Sequence, residues 1–308
     1  MTNTDVPAEG TPFVYQSRLD LDPDTVALVV TAIGTYRAKV KSRWRKLPDF
    51  HAALIVLAVL RHNQRPADLA AANGISRDTV DRWVRQTITT LARIAARLDR
   101  VLDHAQRDNT QVLLLDGTCL PTEITAGGGR RNYWCGKHKT HHLRVLTITD
   151  QTGQLLWTSA ATGARTHEAT QAKRQHIPKR LRTRDLTLIC DRAHTRLDDQ
   201  ATTNPTVITG YRASRNRKLT KAEKQVNTLI SRERVANEHA HAHLKNWRIL
   251  TRLRHGWLQQ NTTTLLRALL VLTNTEINRR PTPANDQPKI NNPTTSTPTT
   301  HHHLVKAA

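Results

Sequence analysis

The stretch that decides the fold is Gln111–Thr118, Gln-Val-Leu-Leu-Leu-Asp-Gly-Thr. Four apolar residues, Val112 to Leu115, run straight into one carboxylate, Asp116, and then a glycine, Gly117. A short unbroken apolar run reads as a strand buried on both faces. A charge at the end of such a strand is expected where the sheet meets solvent. Gly117 lets a backbone or a ligand come close there. Asp-Gly also starts ordinary tight turns, so this stretch alone does not separate a site from a turn.

Upstream of this stretch the period is helical. Asp22-Pro23 offers a cap with proline at the first helical position, and Val26, Val29, Val30 and Ile33 share a face. Phe50 to Leu60 reads as a buried helix. Pro66–Ala72 is a short helix, Asn73-Gly74-Ile75 a turn, and Ser76 the cap of a second helix from Arg77. Ala71, Ile75, Val80 and Trp83 or Val84 close a small core in this reading. Arg77, Thr79, Arg82 and Arg85 then face outward, as a helix-turn-helix presents residues to a DNA groove. A plain helical hairpin fits the same pattern. Thr87 to Arg107 reads as a continuing amphipathic helix with Leu91, Ile94, Leu98 and Leu102 on one face. The organisation expected is a loose arm over 1–20, a helical helix-turn-helix domain over 21–108, an α/β domain over 109–279 and a disordered tail over 280–308.

Downstream, strands alternate with helices. Leu143–Thr149 and Leu155–Ser159 form a hairpin around Gly153, and Thr166-His167-Glu168 starts a helix. Leu186–Cys190 is a further strand, and it too ends in a lone acid, Asp191. Val207-Ile208 is short. A long helix from about Ala222 to Leu244 carries Glu238, and a last helix covers Thr262 to Arg279.

The 308 residues hold 47 Lys plus Arg against 25 Asp plus Glu, a formal net charge of +22. Such an excess attracts polyanions, and nucleic acid is the expected partner. Basic clusters at Lys39–Lys46 and at Lys137, His138 and Lys139 are candidate phosphate contacts. On a continuing helix, Lys245 and Arg248 fall near the face of Glu238. No apolar run approaches the roughly 20 residues of a membrane helix. The N-terminus does not resemble a signal peptide, so a cytoplasmic, nucleoid-associated protein is expected. Cys119, Cys135 and Cys190 fit neither a disulfide framework nor a zinc site. His239, His241 and His243 alternate along a helix and cannot share one face, which argues against zinc.

Two strands ending in Asp116 and Asp191, with a helix carrying Glu238, can bring three carboxylates to one edge of a sheet. Such a cluster repels itself unless a cation joins it. Oxygen donors suit Mg²⁺ or Mn²⁺, and a pair of such ions serves phosphodiester cleavage.

These residues carry a resemblance. Leu113–Thr118, Tyr133–Lys139, Gly163–His167, Asp191, and Glu238 with Ala240, Ala242 and Leu244–Leu250 resemble DDE-superfamily transposases of the insertion-sequence type related to Harbinger-like elements. The resemblance implies a ribonuclease-H-like fold, with Asp116, Asp191 and Glu238 as a metal-binding catalytic triad. It implies cleavage at element ends and attack of the freed 3′-hydroxyl on target DNA, by an oligomer assembled on DNA. The chain departs from the family where Arg192-Ala193-His194 follows the second Asp and where Glu168 stands in place of a common Asp. A DNA-binding regulator without catalysis, and a nuclease without strand transfer, are the alternatives.

Overall fold

The computed structural model describes residues 19–41, 47–110, 112–123, 130–194, 197, 206–254 and 259–278. Most of the expected arm, the basic positions 42–46, the glycines 127–129 and the tail from 280 lie outside the described residues.

Five helices come first: α1 (Pro23–Lys39), α2 (Asp49–His62), α3 (Pro66–Ala72), α4 (Arg77–Ile94) and α5 (Leu98–Arg107). The Asp22 side chain accepts from the Asp24 N–H, and Pro23 opens α1, as the sequence suggests. Gly74 takes φ +59° in the α3–α4 turn, a conformation that costs glycine little. Ser76 caps α4 by accepting the Thr79 N–H. In that hairpin it is Ala70, not Ala71, that is buried, with Val80, Trp83 and Val84.

One expectation fails here. Thr87 to Arg107 is not a continuation helix: α4 runs unbroken from Arg77 to Ile94, and the chain turns extended at Ala95 before α5 begins. The break serves two cores. Leu91 packs among the N-terminal helices, while Leu98 and Leu102 pack against the sheet. Ile94, expected on the apolar face, is exposed. Arg267 donates to the Ala95 carbonyl at 2.9 Å, satisfying an acceptor freed by the helix end.

The strands are β1 (Val112–Pro121), β2 (Trp134–Cys135), β3 (Thr140–Thr149), β4 (Leu155–Thr158), β5 (Thr162–Gly163), β6 (Thr187–Cys190) and β7 (Val207–Thr209). Helices α6 (Glu168–Arg174) and α7 (Ile177–Arg182) precede β6, and α8 (Lys221–Lys245) and α9 (Gln259–Ile277) follow β7. The sheet runs β2-β3-β1-β6-β7, with β4 and β5 also paired to β3. β3 is antiparallel to β1, whereas β1, β6 and β7 are parallel. This is the mixed α/β sheet expected.

Alternation along β1 assigns its faces. Leu113 and Leu115 join α5, α7 and β6 in one cluster; Leu114 meets Ile189 of β6 and Ile230 of α8 on the other face. A third cluster gathers α1, α2 and α4 with Leu265, Leu266 and Leu269 of α9, and reaches Leu120, Leu143 and Leu155 of the sheet. Buried contacts therefore cross residue 108 through α9.

Candidate active site

Asp116 does not end its strand, as the apolar run suggests. β1 continues to Pro121, paired with β3, and Asp116 lies opposite Thr147. What ends at Leu115 is the pairing with β6, whose last partner is Cys190. Asp116 and Asp191 are thus the first residues of two neighbouring parallel strands beyond their shared ladder. Asp116 has the parity of Leu114 and Asp191 that of Ile189, so both belong to the face covered by α8.

The α8 residues that face the sheet, Ile230, Arg234, Asn237, His241 and Leu244, recur at helical spacing. Thr220 and Glu223 form a capping box at the start of this helix. The Thr149 hydroxyl donates to Asn237 Oδ1, tying α8 to β3. Arg234 then reaches both acids: one terminal nitrogen lies 3.4 Å from Asp116 Oδ1, the other 3.4 Å from Asp191 Oδ1. Its Nε is buried without a hydrogen-bond partner. Each acid also accepts the N–H of its following residue, Gly117 at 2.9 Å and Arg192 at 2.6 Å.

His241 lies on the far side of Asp116, with Nδ1 3.9 Å from Oδ2 and Nε2 2.7 Å from the Thr147 hydroxyl. That hydroxyl donates to the Asp116 carbonyl at 3.3 Å, so Nε2–H is the donor to Thr147 in the neutral ring. Burial holds His241 below the ordinary imidazole range, with Asp116 pulling the other way. Cys190 is fully enclosed, and burial drives its thiol far up, keeping it a thiol.

A third carboxylate approaches from the opposite face. Glu168, the first residue of α6, lies so close to Gly117 that a β-carbon there would fall 2.4 Å from its carboxyl carbon. The group that comes close at Gly117 is thus a side chain, not the backbone or ligand expected there. Arg144 is 3.7 Å from Glu168 Oε1, and His194 Nε2 is 3.9 Å from Oε2. His194 is buried in the short turn Arg192–His194, and neither ring nitrogen has a hydrogen-bond partner. Burial lowers its pKa; Glu168, Asp116 and Asp191 act in the opposite sense.

Of the expected triad, the structure brings Asp116 and Asp191 together. Glu238 stands one turn beyond Arg234 on α8, exposed. Among the described residues, no group of three His, Cys, Asp or Glu side chains is arranged to hold a metal. Arg234, Glu168, His194 and Thr147 were not read from the sequence as parts of a site. The available signals were the position of Arg234 four residues before Glu238 and the replacement of the family's usual Asp by Glu168.

The expected DNA contacts are spread over the surface. Arg77, Arg82 and Arg85 are exposed on α4, with Arg77 paired to Asp81 at 3.3 Å. Thr79 is half-buried, its hydroxyl bonded to Ser76 at 2.9 Å in the cap. Lys137, His138 and Lys139 form an exposed turn before β3, where His138 stacks on His142. Lys245 is exposed at the end of α8. Arg248 is not on a continuing helix: the chain leaves α8 there and forms the short turn Arg248–Thr251, anchored by buried Trp247, Ile249 and Leu250. Arg77 and Arg85 also line a cleft of about 420 Å³ whose other wall carries Arg252 and Arg254. Leu253 between them pairs with Thr122 at the end of β1, joining that wall to the strand of Asp116.

The family described as DDE superfamily endonuclease matches residues 115–274, just over half of the chain. The chain belongs to this family. The match opens one residue before Asp116 and closes on α9, so it encloses Asp116, Glu168, Asp191 and α8. The mixed sheet with helices on both faces is consistent with the ribonuclease-H-like domain of such endonucleases. DNA is the substrate this family implies, and its members generally use divalent metal ions. No curated protein and no solved structure matches the chain. No helix among the described residues is long and apolar enough to cross a membrane.

Proposed function

We propose that this DDE superfamily endonuclease is a transposase of the insertion-sequence type related to Harbinger-like elements. In this reading it binds element ends, cleaves them, and joins the freed 3′-hydroxyl to target DNA. The observation that carries the reading is the placement of Asp116 and Asp191 side by side beyond their shared ladder, with a cation, the Arg234 guanidinium, between them.

The residues present fit a divalent ion. Two carboxylates this close require positive charge, and Arg234 supplies it in the structure. Carboxylate oxygens are the donors that Mg²⁺ and Mn²⁺ take. Asp116, Asp191 and Glu238 are the residues assigned to hold two such ions. When bound, the ions supply Lewis acidity at the scissile phosphate. The chain's own groups fix the geometry: the Thr147 hydroxyl, which accepts from His241 and donates to the Asp116 carbonyl, ties α8 to β3 beside that acid, and Arg234 is a cation placed to meet a phosphate when it leaves the acids. The α3–α4 hairpin, the 137–139 turn and Lys245 with Arg248 are assigned to duplex DNA, and the working form is an oligomer on that DNA.

Purified protein, given duplexes that carry the DNA flanking its own coding sequence, is expected to nick them only with Mg²⁺ or Mn²⁺. Asp116→Asn is expected to lower that rate at least about a thousandfold, the scale at which essential catalytic groups act. Cleavage that survives chelation, or an Asp116→Asn variant as active as the parent, contradicts the reading. Cleaved ends without joined product would leave a nuclease and remove strand transfer.

A further inference from the structure

The two faces of the sheet are separate wherever β6 covers the edge of β1. That cover stops at the Leu115–Cys190 pair. From Asp116 onward no strand among the described residues pairs with β1 on that side, so side chains from both faces can meet around it. Asp116 and Asp191 come from the α8 face, and Glu168 comes from the α6 face, pressed over Gly117. Only a residue without a β-carbon leaves room for that carboxylate beside the strand.

Glu168 is not held there by a tight pair. Its nearest nitrogen groups are the Arg144 guanidinium at 3.7 Å and the His194 imidazole at 3.9 Å, both beyond hydrogen-bonding distance. His194 is buried, with both ring nitrogens lacking a hydrogen-bond partner, and Nε2 is aimed at the Glu168 carboxylate. A buried polar ring left unsatisfied is costly, and it marks a place that some further group completes. We infer that Glu168 is an additional carboxylate ligand of the divalent-cation centre, reaching the ion around the open edge of β1, with His194 as the residue that positions it. The inference rests on the reading of Asp116 and Asp191 as a cation site. A carboxylate at the start of a helix, with a buried and unpaired imidazole 3.9 Å behind it, leaves that ring free to hydrogen-bond the carboxylate once an ion draws the group into place.

The test is calorimetric titration of Mn²⁺ into the full chain, with far-UV circular dichroism to follow the fold. Glu168→Gln is expected to bind Mn²⁺ at least about tenfold more weakly than the parent, with an unchanged dichroism spectrum. Gly117→Ala changes no ligand, but its methyl overlaps the Glu168 carboxylate, and the same weakening is expected. If Glu168→Gln does not fold, Glu168→Asp serves in its place: the charge stays, the carboxylate retreats by one methylene, and affinity is expected to fall. Mn²⁺ affinity equal to the parent's in a folded Glu168 variant overturns the inference and leaves the cation site of Asp116 and Asp191 standing. A parent protein that binds no Mn²⁺ overturns both.

Discussion

Arg234 is the cation that Asp116 and Asp191 share. Its side chain is 21 % exposed, against 16 % for Asp116 and 43 % for Asp191, so its pairs sit at the boundary of solvent. Replacing it by alanine leaves two neighbouring carboxylates without their counter-charge. Arg234→Ala is expected to lose about 1 kcal/mol in metal-free buffer, the upper end for partly exposed pairs. Mg²⁺ is then expected to raise its melting temperature more than it raises the parent's, because the ion restores what the guanidinium supplied. Equal metal-free stability and an equal response to Mg²⁺ would show that Arg234 plays no such part. A second prediction concerns His142, which is buried in β3 and stacked on His138. Burial lowers its pKa from 6.5, His138 and His141 act in the same direction, and a bond to the Thr140 carbonyl opposes them. The unfolded chain therefore takes up this proton first as pH falls. The stabilisation is intact above 6.5 and is lost as pH drops below it toward the folded value. Denaturant unfolding followed between about pH 7 and 5 should show a steeper acid loss for the parent than for His142→Gln.

At the scale of elements, α9 is the helix that ties the N-terminal helices to the sheet. Leu265, Leu266 and Leu269 are fully buried against α1, α2 and α4. Leu269→Ala is expected to cost about 2–5 kcal/mol. Because the same cluster reaches β1, β3 and β4, the loss should appear together at Trp83 in α4 and Trp157 in β4 when fluorescence follows unfolding of single-tryptophan variants. Separate transitions at the two positions would contradict a shared core. Much of this architecture is legible in the residues. Pro23, Gly74, Ser76 and Gly153 punctuate the chain by local chemistry, and the apolar runs before Asp116 and Asp191 announce buried parallel strands. The break between α4 and α5 is not legible. Ala95-Ala96-Arg97 contains no glycine or proline, and Leu91, Leu98 and Leu102 keep helical spacing although they enter different cores. Nor is Glu168 legible as a neighbour of Gly117, because it arrives from α6, which is distant from β1 in sequence and does not pair with it. Arg248 leaves the helix face because Asn246 caps α8 and burial of Trp247 and Ile249 then turns the chain away, a stop that the helical reading through Arg248 passes over.

For the whole molecule, a net charge of +22 makes attraction to DNA strongly dependent on salt. The slope of log affinity against log salt should fall by about 1 for each phosphate contact removed. Arg85→Ala, facing the cleft beside α4, is expected to lower it by that amount, whereas Lys173→Ala on α6 is expected to leave it unchanged. Equal slopes for Arg85→Ala and the parent would take α4 out of the DNA-binding surface. The central claim is that Asp116 and Asp191 form a divalent-cation centre at the open edge of the sheet. Fe²⁺ loaded in place of Mg²⁺, then treated with ascorbate and peroxide, cuts a polypeptide next to the bound ion. Cuts clustered around residues 116 and 191, suppressed by excess Mg²⁺ and absent from Asp116→Asn, are the predicted result; no cleavage near either acid, or an unchanged pattern in Asp116→Asn, would contradict the account.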